Sequence, residues 1–120
     1  MACVQALAAL FSLPQQARQW RVQQKERALH TALLDAMVQL MADAGATICY
    51  TAPTFYRQMA VFARETPLPR LRICVSAGEG LPDATRQLWK DATGIEMTDG
   101  IGATEMFHIF ISSPPEEVRR

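Results

Sequence analysis

Three short apolar segments, separated by stretches of helical length, are the feature that most constrains the fold of this chain. They are ATICY (46–50), LRICV (71–75) and IEMT (95–98), and their apolar, partly β-branched composition is typical of buried strands. The stretches between them are long enough for the helical crossover that joins parallel strands. The pattern therefore predicts an α/β fold, with a partial, mostly parallel sheet and flanking helices.

The connecting stretches carry helix signals of their own. In residues 28–45 apolar side chains recur at spacings of three and four, which predicts one apolar helical face that Gly45 ends in a left-handed conformation. That face consists of Leu29, Leu33, Met37, Leu40, Met41 and Ala44. Pro53 opens a second helix and Pro82 a third. The Gln- and Arg-rich stretch at residues 18–27 is either a solvated helix or a linker.

The charge of the chain limits its possible partners, and its cysteines indicate its cellular compartment. Twelve basic and twelve acidic residues cancel, so we expect neither nucleic acid nor a membrane as a partner. Cys3, Cys49 and Cys74 lack metal-ligand spacing, which favours reduced thiols in a cytoplasmic protein, with Cys49 and Cys74 inside predicted strands. The apolar run at the start of the chain lacks the basic residues of a signal peptide and is too short to span a bilayer. A helical segment or a truncated start is the simpler interpretation of this run.

Two glycine-containing segments follow predicted strands. SAGEG (76–80) follows the second strand, and DGIGATEM (99–106) follows the third, before a fourth predicted strand at 106–111. We expect both to open onto one edge of the sheet, because ligands gather beyond the carboxyl ends of parallel strands. Thr104 offers a hydroxyl group to a phosphate, and Glu105 offers a carboxylate to Mg²⁺. Spacing alone leaves a tight turn with a solvated acid as the alternative.

The order of these segments resembles a known family. LRICVSAGEGLPDATRQLWKDATGIEMTDGIGATEMFHIFIS, preceded by ATICYTAPTFYRQMA, is similar to the middle of the large N-terminal domain of the adenylate-forming acyl-CoA synthetases. Within that superfamily it looks most like the aryl acid–CoA ligases of the benzoate and 2-aminobenzoate type. The resemblance implies a partial AMP-binding domain at residues 29–120, and an atypical segment at 1–28 from a shifted frame, a misplaced start or a degraded gene.

The resemblance also implies roles for individual residues. The family's Tyr-Gly-x-Thr-Glu block corresponds to residues 101–105, so Thr104 would contact the α-phosphate, Glu105 would ligate Mg²⁺, and Ile101 replaces the usual aromatic residue beside adenine. The implied nucleotide-binding residues are Ala77, Gly78, Glu79, Asp99, Gly100, Ile101, Gly102 and Thr104. The implied residues of the carboxylic acid pocket are Tyr50, Ala52, Tyr56, Gly102 and His108. Core packing is the alternative for the two tyrosines, the alanine and the histidine.

The activity implied by the resemblance is ATP-dependent adenylation of an aryl acid, followed by transfer of the acyl group to coenzyme A. ATP, Mg²⁺, coenzyme A and the acid are therefore the expected ligands. The sequence contains no phosphate loop ending in Pro-Lys and no C-terminal domain with a catalytic lysine. We expect the chain to be part of such a ligase that is either inactive alone or dependent on the missing remainder of the ligase. A small α/β module that binds adenine nucleotides without catalysis is the alternative.

Overall fold

The computed structural model of this chain describes residues 15–114. The chain divides into two compact units, residues 1–33 and residues 34–120, and the sheet lies entirely in the second. The elements are α1 (Gln15–Asp43), β1 (Ile48–Thr51), α2 (Pro53–Glu65), β2 (Ile73–Ala77), α3 (Asp83–Thr93), β3 (Met97–Gly102), a 3₁₀ turn (Thr104–Met106) and β4 (Ile109–Ser112). Residues 18–27 belong to α1, so this stretch is a helix and not a linker.

The sheet has the order β1-β2-β3-β4. Strands β1, β2 and β3 run parallel, with Cys49 opposite Cys74 and Cys74 opposite Met97. Strand β4 returns antiparallel to β3, which confirms a partial and mostly parallel sheet flanked by helices. A helical connection precedes each parallel strand, whereas β4 needs only the short 3₁₀ turn because antiparallel strands can be joined by a tight connection.

All four predicted strands have shifted bounds: β1 and β2 begin two residues later than expected, and the last two strands differ further. The third strand was expected at 95–98 with a loop from Asp99, but β3 spans Met97–Gly102 because β4 pairs with its glycine end. The fourth strand was expected at 106–111, but β4 spans Ile109–Ser112 because the chain first forms the 3₁₀ turn.

The predicted apolar face of the first helix was also wrong. Leu40 keeps 67% of its surface exposed, and Leu29, Leu33 and Met37 are exposed as well. The buried residues of α1 are Leu34 and Val38, with Met41 partly buried against the core. Spacings of four and three also join residues 34, 38 and 41, so the sequence pattern fits two neighbouring stripes of the helix equally well. The end of the helix is as expected, since Gly45 has φ +62°.

The core joins residues of the sheet with residues of α1, α2 and α3. Trp89 of α3 is fully buried, and its indole Nε1 donates to Cys74 Sγ at 3.3 Å. Its ring meets the edge of Tyr56 of α2, with ring centroids 4.9 Å apart. Burial raises the pKa of Cys74 to about 12 and raises the pKa of Cys49 as well. The expectation of buried core thiols is confirmed for Cys49 and Cys74, and Cys3 lies outside the described residues.

Among residues 15–114, none of the helices combines the length and the apolar composition needed to cross a bilayer.

Candidate functional site

The two glycine segments border two neighbouring cavities. One, of about 300 Å³, we call the aromatic cavity. It is lined by Tyr50, Ala77, Gly78, Gly102, Ala103, Thr104, Phe107, His108 and Ile109. The other, of about 380 Å³, we call the acidic cavity. It is lined by Gly78, Glu79, Gly80, Asp99, Gly100, Ile101 and Gly102. Gly78 and Gly102 line both cavities, which confirms that the two glycine segments open at the same edge of the sheet.

Three of the nine residues that line the aromatic cavity carry aromatic rings. Tyr50, in strand β1, is about half exposed, and its ring centroid lies 5.4 Å from that of His108. His108 is exposed beside β4, so the structure does not bury it in the core. Phe107 precedes it with φ +62° and 97% of its surface exposed. The cavity therefore presents aromatic surface to any ligand that enters it.

Two residues with carboxylate side chains line the acidic cavity. Asp99, in β3, accepts a hydrogen bond at Oδ1 from the backbone N–H of Gly100, at 3.1 Å. Glu79, in the turn after β2, accepts a hydrogen bond at Oε2 from Thr54 Oγ1, at 2.8 Å. Among the described residues, neither cavity is lined by a lysine or an arginine. The acidic cavity therefore offers hydrogen-bond acceptors, with no side-chain cation to offset their charge.

The glycines of β3 are packed tightly against β4. A Cβ atom at Gly102 would lie 3.0 Å from the carbonyl oxygen of His108 and 3.2 Å from the backbone nitrogen of Ile109. At Gly100 it would lie 3.0 Å from both Cγ1 and Cγ2 of Ile109, and Cδ1 would be closer still. The absence of side chains at these positions thus lets β4 approach β3 at the wall of the two cavities.

Thr104 and Glu105 lie on the 3₁₀ turn between β3 and β4. Thr104 lines the aromatic cavity, whereas Glu105 is exposed and lines neither cavity. Within residues 15–114, no group of three or more His, Cys, Asp or Glu side chains could enclose a metal ion. Mg²⁺ is commonly held by one or two carboxylates together with water and substrate phosphates. An exposed carboxylate next to a cavity-lining hydroxyl fits an ion of that kind, shared with a bound phosphate.

Two residues of the implied acid pocket do not line either cavity. Tyr56 is fully buried, and its hydroxyl donates a shared hydrogen bond to the carbonyl oxygens of Cys49, at 2.7 Å, and Val75, at 3.0 Å. Burial raises the pKa of its phenol far above the ordinary value. Ala52 is the N-cap of α2. The core-packing alternative therefore describes Tyr56, while Tyr50, Gly102 and His108 are brought together at the aromatic cavity.

Several lining residues were not predicted. Gly80, Ala103, Phe107 and Ile109 also border the cavities. The alternation of side chains along β4 is a signal that could have indicated Ile109, because residues on one face of a strand repeat every second position. The left-handed conformation of Phe107 has no signal in the sequence, since few residues other than glycine adopt it.

Comparison with known proteins agrees with this geometry. The sequence profile of the AMP-binding enzymes matches residues 18–120. The benzoate–CoA ligase of Thauera aromatica is 43% identical over a 74-residue alignment that covers 59% of this chain and 14% of that protein. The anthranilate–CoA ligase of Pseudomonas aeruginosa is 38% identical over 72 residues, which are 60% of this chain and 14% of that protein. This chain thus spans about one-seventh of the length of these curated relatives.

Solved structures give the same result. An anthranilate CoA ligase in complex with anthranoyl-AMP superposes with a TM-score of 0.68 and 41% identity, over 74% of this chain and 18% of that one. A benzoate CoA ligase from Burkholderia xenovorans superposes with a TM-score of 0.61 and 37% identity, over 72% of this chain and 18% of that one. Since the profile matches well over half of the sequence, the chain belongs to the family of AMP-binding enzymes, with the fold of their adenylate-forming domain.

Proposed function

We propose that this chain forms the adenylate-binding part of an aryl acid–CoA ligase. Such an enzyme activates a benzoate-like acid with ATP and then transfers the acyl group to coenzyme A. The observation that carries the proposal is the wall shared by the two cavities, where Gly78 and Gly102 border the aromatic and the acidic side alike. An acyl-adenylate is a ligand of matching form, because its aryl and adenine groups flank one phosphate.

The two cavities suit the two ends of that ligand. The aromatic cavity would take the aryl group, since offset and edge-to-face contacts with Tyr50, Phe107 and His108 favour a planar ring. The acidic cavity would take adenine, because the carboxylate of Asp99 can accept a hydrogen bond from its amino group. Ile101 would supply aliphatic contact in place of an aromatic stack.

The phosphate would lie at the shared wall. Glycine leaves room there for close approach to the main chain, and the Thr104 hydroxyl can donate to a phosphate oxygen. Glu105 would hold Mg²⁺, which supplies charge neutralisation at the phosphates when bound. In the first step the acid's carboxylate attacks the α-phosphorus and pyrophosphate leaves; in the second the thiol of coenzyme A attacks the acyl carbon and AMP leaves.

In this proposal, the residues that bind the adenylate are present in this chain, whereas the cations needed for catalysis are supplied elsewhere. Adenylation depends on cancelling the charge of the β- and γ-phosphates, and neither cavity has a lysine or arginine among the residues that the structure describes. We therefore propose that the chain alone binds adenylates without turning over, and that the remainder of a ligase supplies the cations. Its two described thiols are free, and we place it in the reducing cytoplasm.

Isothermal titration calorimetry of the monodisperse 120-residue chain tests the binding site. The ligands are AMP and a non-hydrolysable benzoyl-adenylate, the benzoyl sulfamoyl adenosine. We expect micromolar binding of the analogue, and about tenfold weaker binding by the Thr104→Val variant, because a hydrogen bond to a charged group is lost. Thr66→Val, at the far end of α2 and outside both cavities, is the matched control. No binding by the wild-type chain, or equal binding by Thr104→Val, would contradict the proposal.

The same titration separates the ligase from a nucleotide-binding module. A ligase site binds the benzoyl-adenylate analogue more tightly than AMP, because the aryl group fills the aromatic cavity. A module built only for adenine nucleotides gains nothing from the benzoyl group. Exchange of labelled pyrophosphate into ATP in the presence of benzoate is expected to be absent for this chain, and measurable exchange would show that it is competent alone.

A further inference from the structure

We propose that Glu79 is a positioning residue, which fixes the glycine turn at 78–80 to the start of α2 through Thr54 and does not itself contact the nucleotide. The resemblance to the family implied a direct contact. In the structure the carboxylate is already engaged, since Thr54 Oγ1 donates to Glu79 Oε2 at 2.8 Å. The proposed consequence for ligand binding rests on the proposed function.

The turn has little other support. A Cβ atom at Gly78 or at Gly80 would have nothing within 4 Å, so neither position is packed against a neighbour. Among the described residues, no backbone–backbone hydrogen bond outside the helices and strands involves residues 78–80. A segment without packing or main-chain bonds has a low cost of local opening. The bond to Thr54 is therefore well placed to decide where the turn lies.

The contact between Thr54 and Glu79 also stabilises the start of helix α2. Helix α2 has Ala52 as its N-cap, with no side-chain cap hydrogen bond, and has no acidic residue in its first turn. A carboxylate near a helix N-terminus is favourable, because the unpaired N–H groups there carry partial positive charge. Glu79 thus supplies from another part of the chain the negative charge that the helix lacks.

The position of the turn matters because Gly78 lines both cavities. Release of Glu79 would leave that wall free to move. The lost preorganisation of the wall weakens binding of the ligand. Thr54 lines neither cavity, so an effect of its substitution on affinity would have to pass through Glu79.

Calorimetry with the benzoyl sulfamoyl adenosine tests this role. Thr54→Val removes the donor while keeping the β-branched shape, and we expect a three- to tenfold loss of affinity, the range of about one hydrogen bond. Thr54→Ser keeps the hydroxyl and should stay within about twofold of wild type. In the Glu79→Ala background, Thr54→Val should have no further effect, because its partner is already absent. Thr66→Val controls for the loss of a threonine hydroxyl at the C-cap of the same helix.

A ligand-free measurement keeps this inference separate from the proposed function. In ¹H–¹⁵N spectra of the chain without ligand, the amide signals of Gly78 and Gly80 should shift in Thr54→Val and stay unchanged in Thr66→Val. If the wild-type chain binds no adenylate, the proposed function fails while these spectra still test the contact. Unmoved glycine signals, or wild-type affinity in Thr54→Val, would overturn the positioning role.

Discussion

The two glycine segments that meet at the candidate site are built in opposite ways. In the turn after β2, Gly78 has φ +89°, and side chains at Gly78 and Gly80 would meet nothing within 4 Å. At the end of β3, Gly100 and Gly102 lack a positive φ, but side chains there would collide with β4. Glycine provides conformational freedom in the first segment and close approach in the second.

Because of this difference, the β2 side and the β3 side of the wall are held in place in different ways. The β3 side is held by its pairing with β4, with Gly100 opposite Ser112 and Ile101 opposite Ile111. The β2 side is an open turn that depends on the contact between Thr54 and Glu79. A ligand between them therefore meets one rigid surface and one adjustable surface. Substitutions at the glycines test that contrast directly.

Gly100→Ala is expected to have the largest effect. The new methyl group collides with three atoms of Ile109, so either that side chain or strand β4 must move, at a cost of about 1–3 kcal/mol in the free energy of unfolding. Urea denaturation measures this cost. In the Ile109→Ala background the collision is removed and Gly100→Ala should cost far less; an equal cost in both backgrounds would contradict this account of the packing.

Gly102→Ala is expected to have a smaller effect on stability, about 1 kcal/mol. The nearest atoms belong to the backbone at His108 and Ile109, at 3.0 to 3.2 Å, so a shift of a few tenths of an ångström relieves the contact. Because that shift moves His108 relative to Tyr50, affinity for the benzoyl-adenylate analogue should fall more than affinity for AMP. Equal losses for both ligands would show that the aromatic cavity is not disturbed selectively.

Gly78→Ala is expected to have the smallest cost of these three substitutions, about 1 kcal/mol, because an alanine at positive φ is strained but has no neighbour to strike. Gly80→Ala is the matched control in the same turn. It lacks a positive φ and also meets nothing, so it should be neutral or stabilise the chain slightly by reducing the entropy of the unfolded state. Equal losses at both positions would contradict the conformational role of Gly78.

Much of the fold was predictable because it follows from local pattern. Short β-branched apolar segments, separated by helical stretches with proline starts, led to three parallel strands. The buried stripe of α1 was not predictable, since Leu33 and Leu34 belong to neighbouring stripes that both satisfy helical spacing. Which stripe is buried depends on contacts made by distant parts of the chain. The extension of β3 through Gly102 was not predicted for the same reason, because it requires the partner strand β4.

The site was predictable to the extent that strand ends locate it. Two segments at the carboxyl ends of neighbouring parallel strands had to meet at one edge, and they do. Side-chain roles were harder to predict from the sequence, as the two tyrosines show: Tyr50 is open to the cavity, whereas Tyr56 donates to main-chain oxygens inside the core. Only their places on β1 and α2 distinguish them. The contact of Thr54 with Glu79 joins residues 25 positions apart, which no local pattern indicates.

The acidic cavity also predicts how dissolved salt would act on the proposed nucleotide binding. Proteins that hold phosphates with lysine and arginine lose affinity as ionic strength rises, because counter-ions screen the attraction. Among the described residues, the charged side chains that line the acidic cavity are those of Asp99 and Glu79, and the proposed ligand is itself an anion. Screening then weakens a repulsion, so AMP should bind this chain more tightly in added potassium chloride than in dilute buffer.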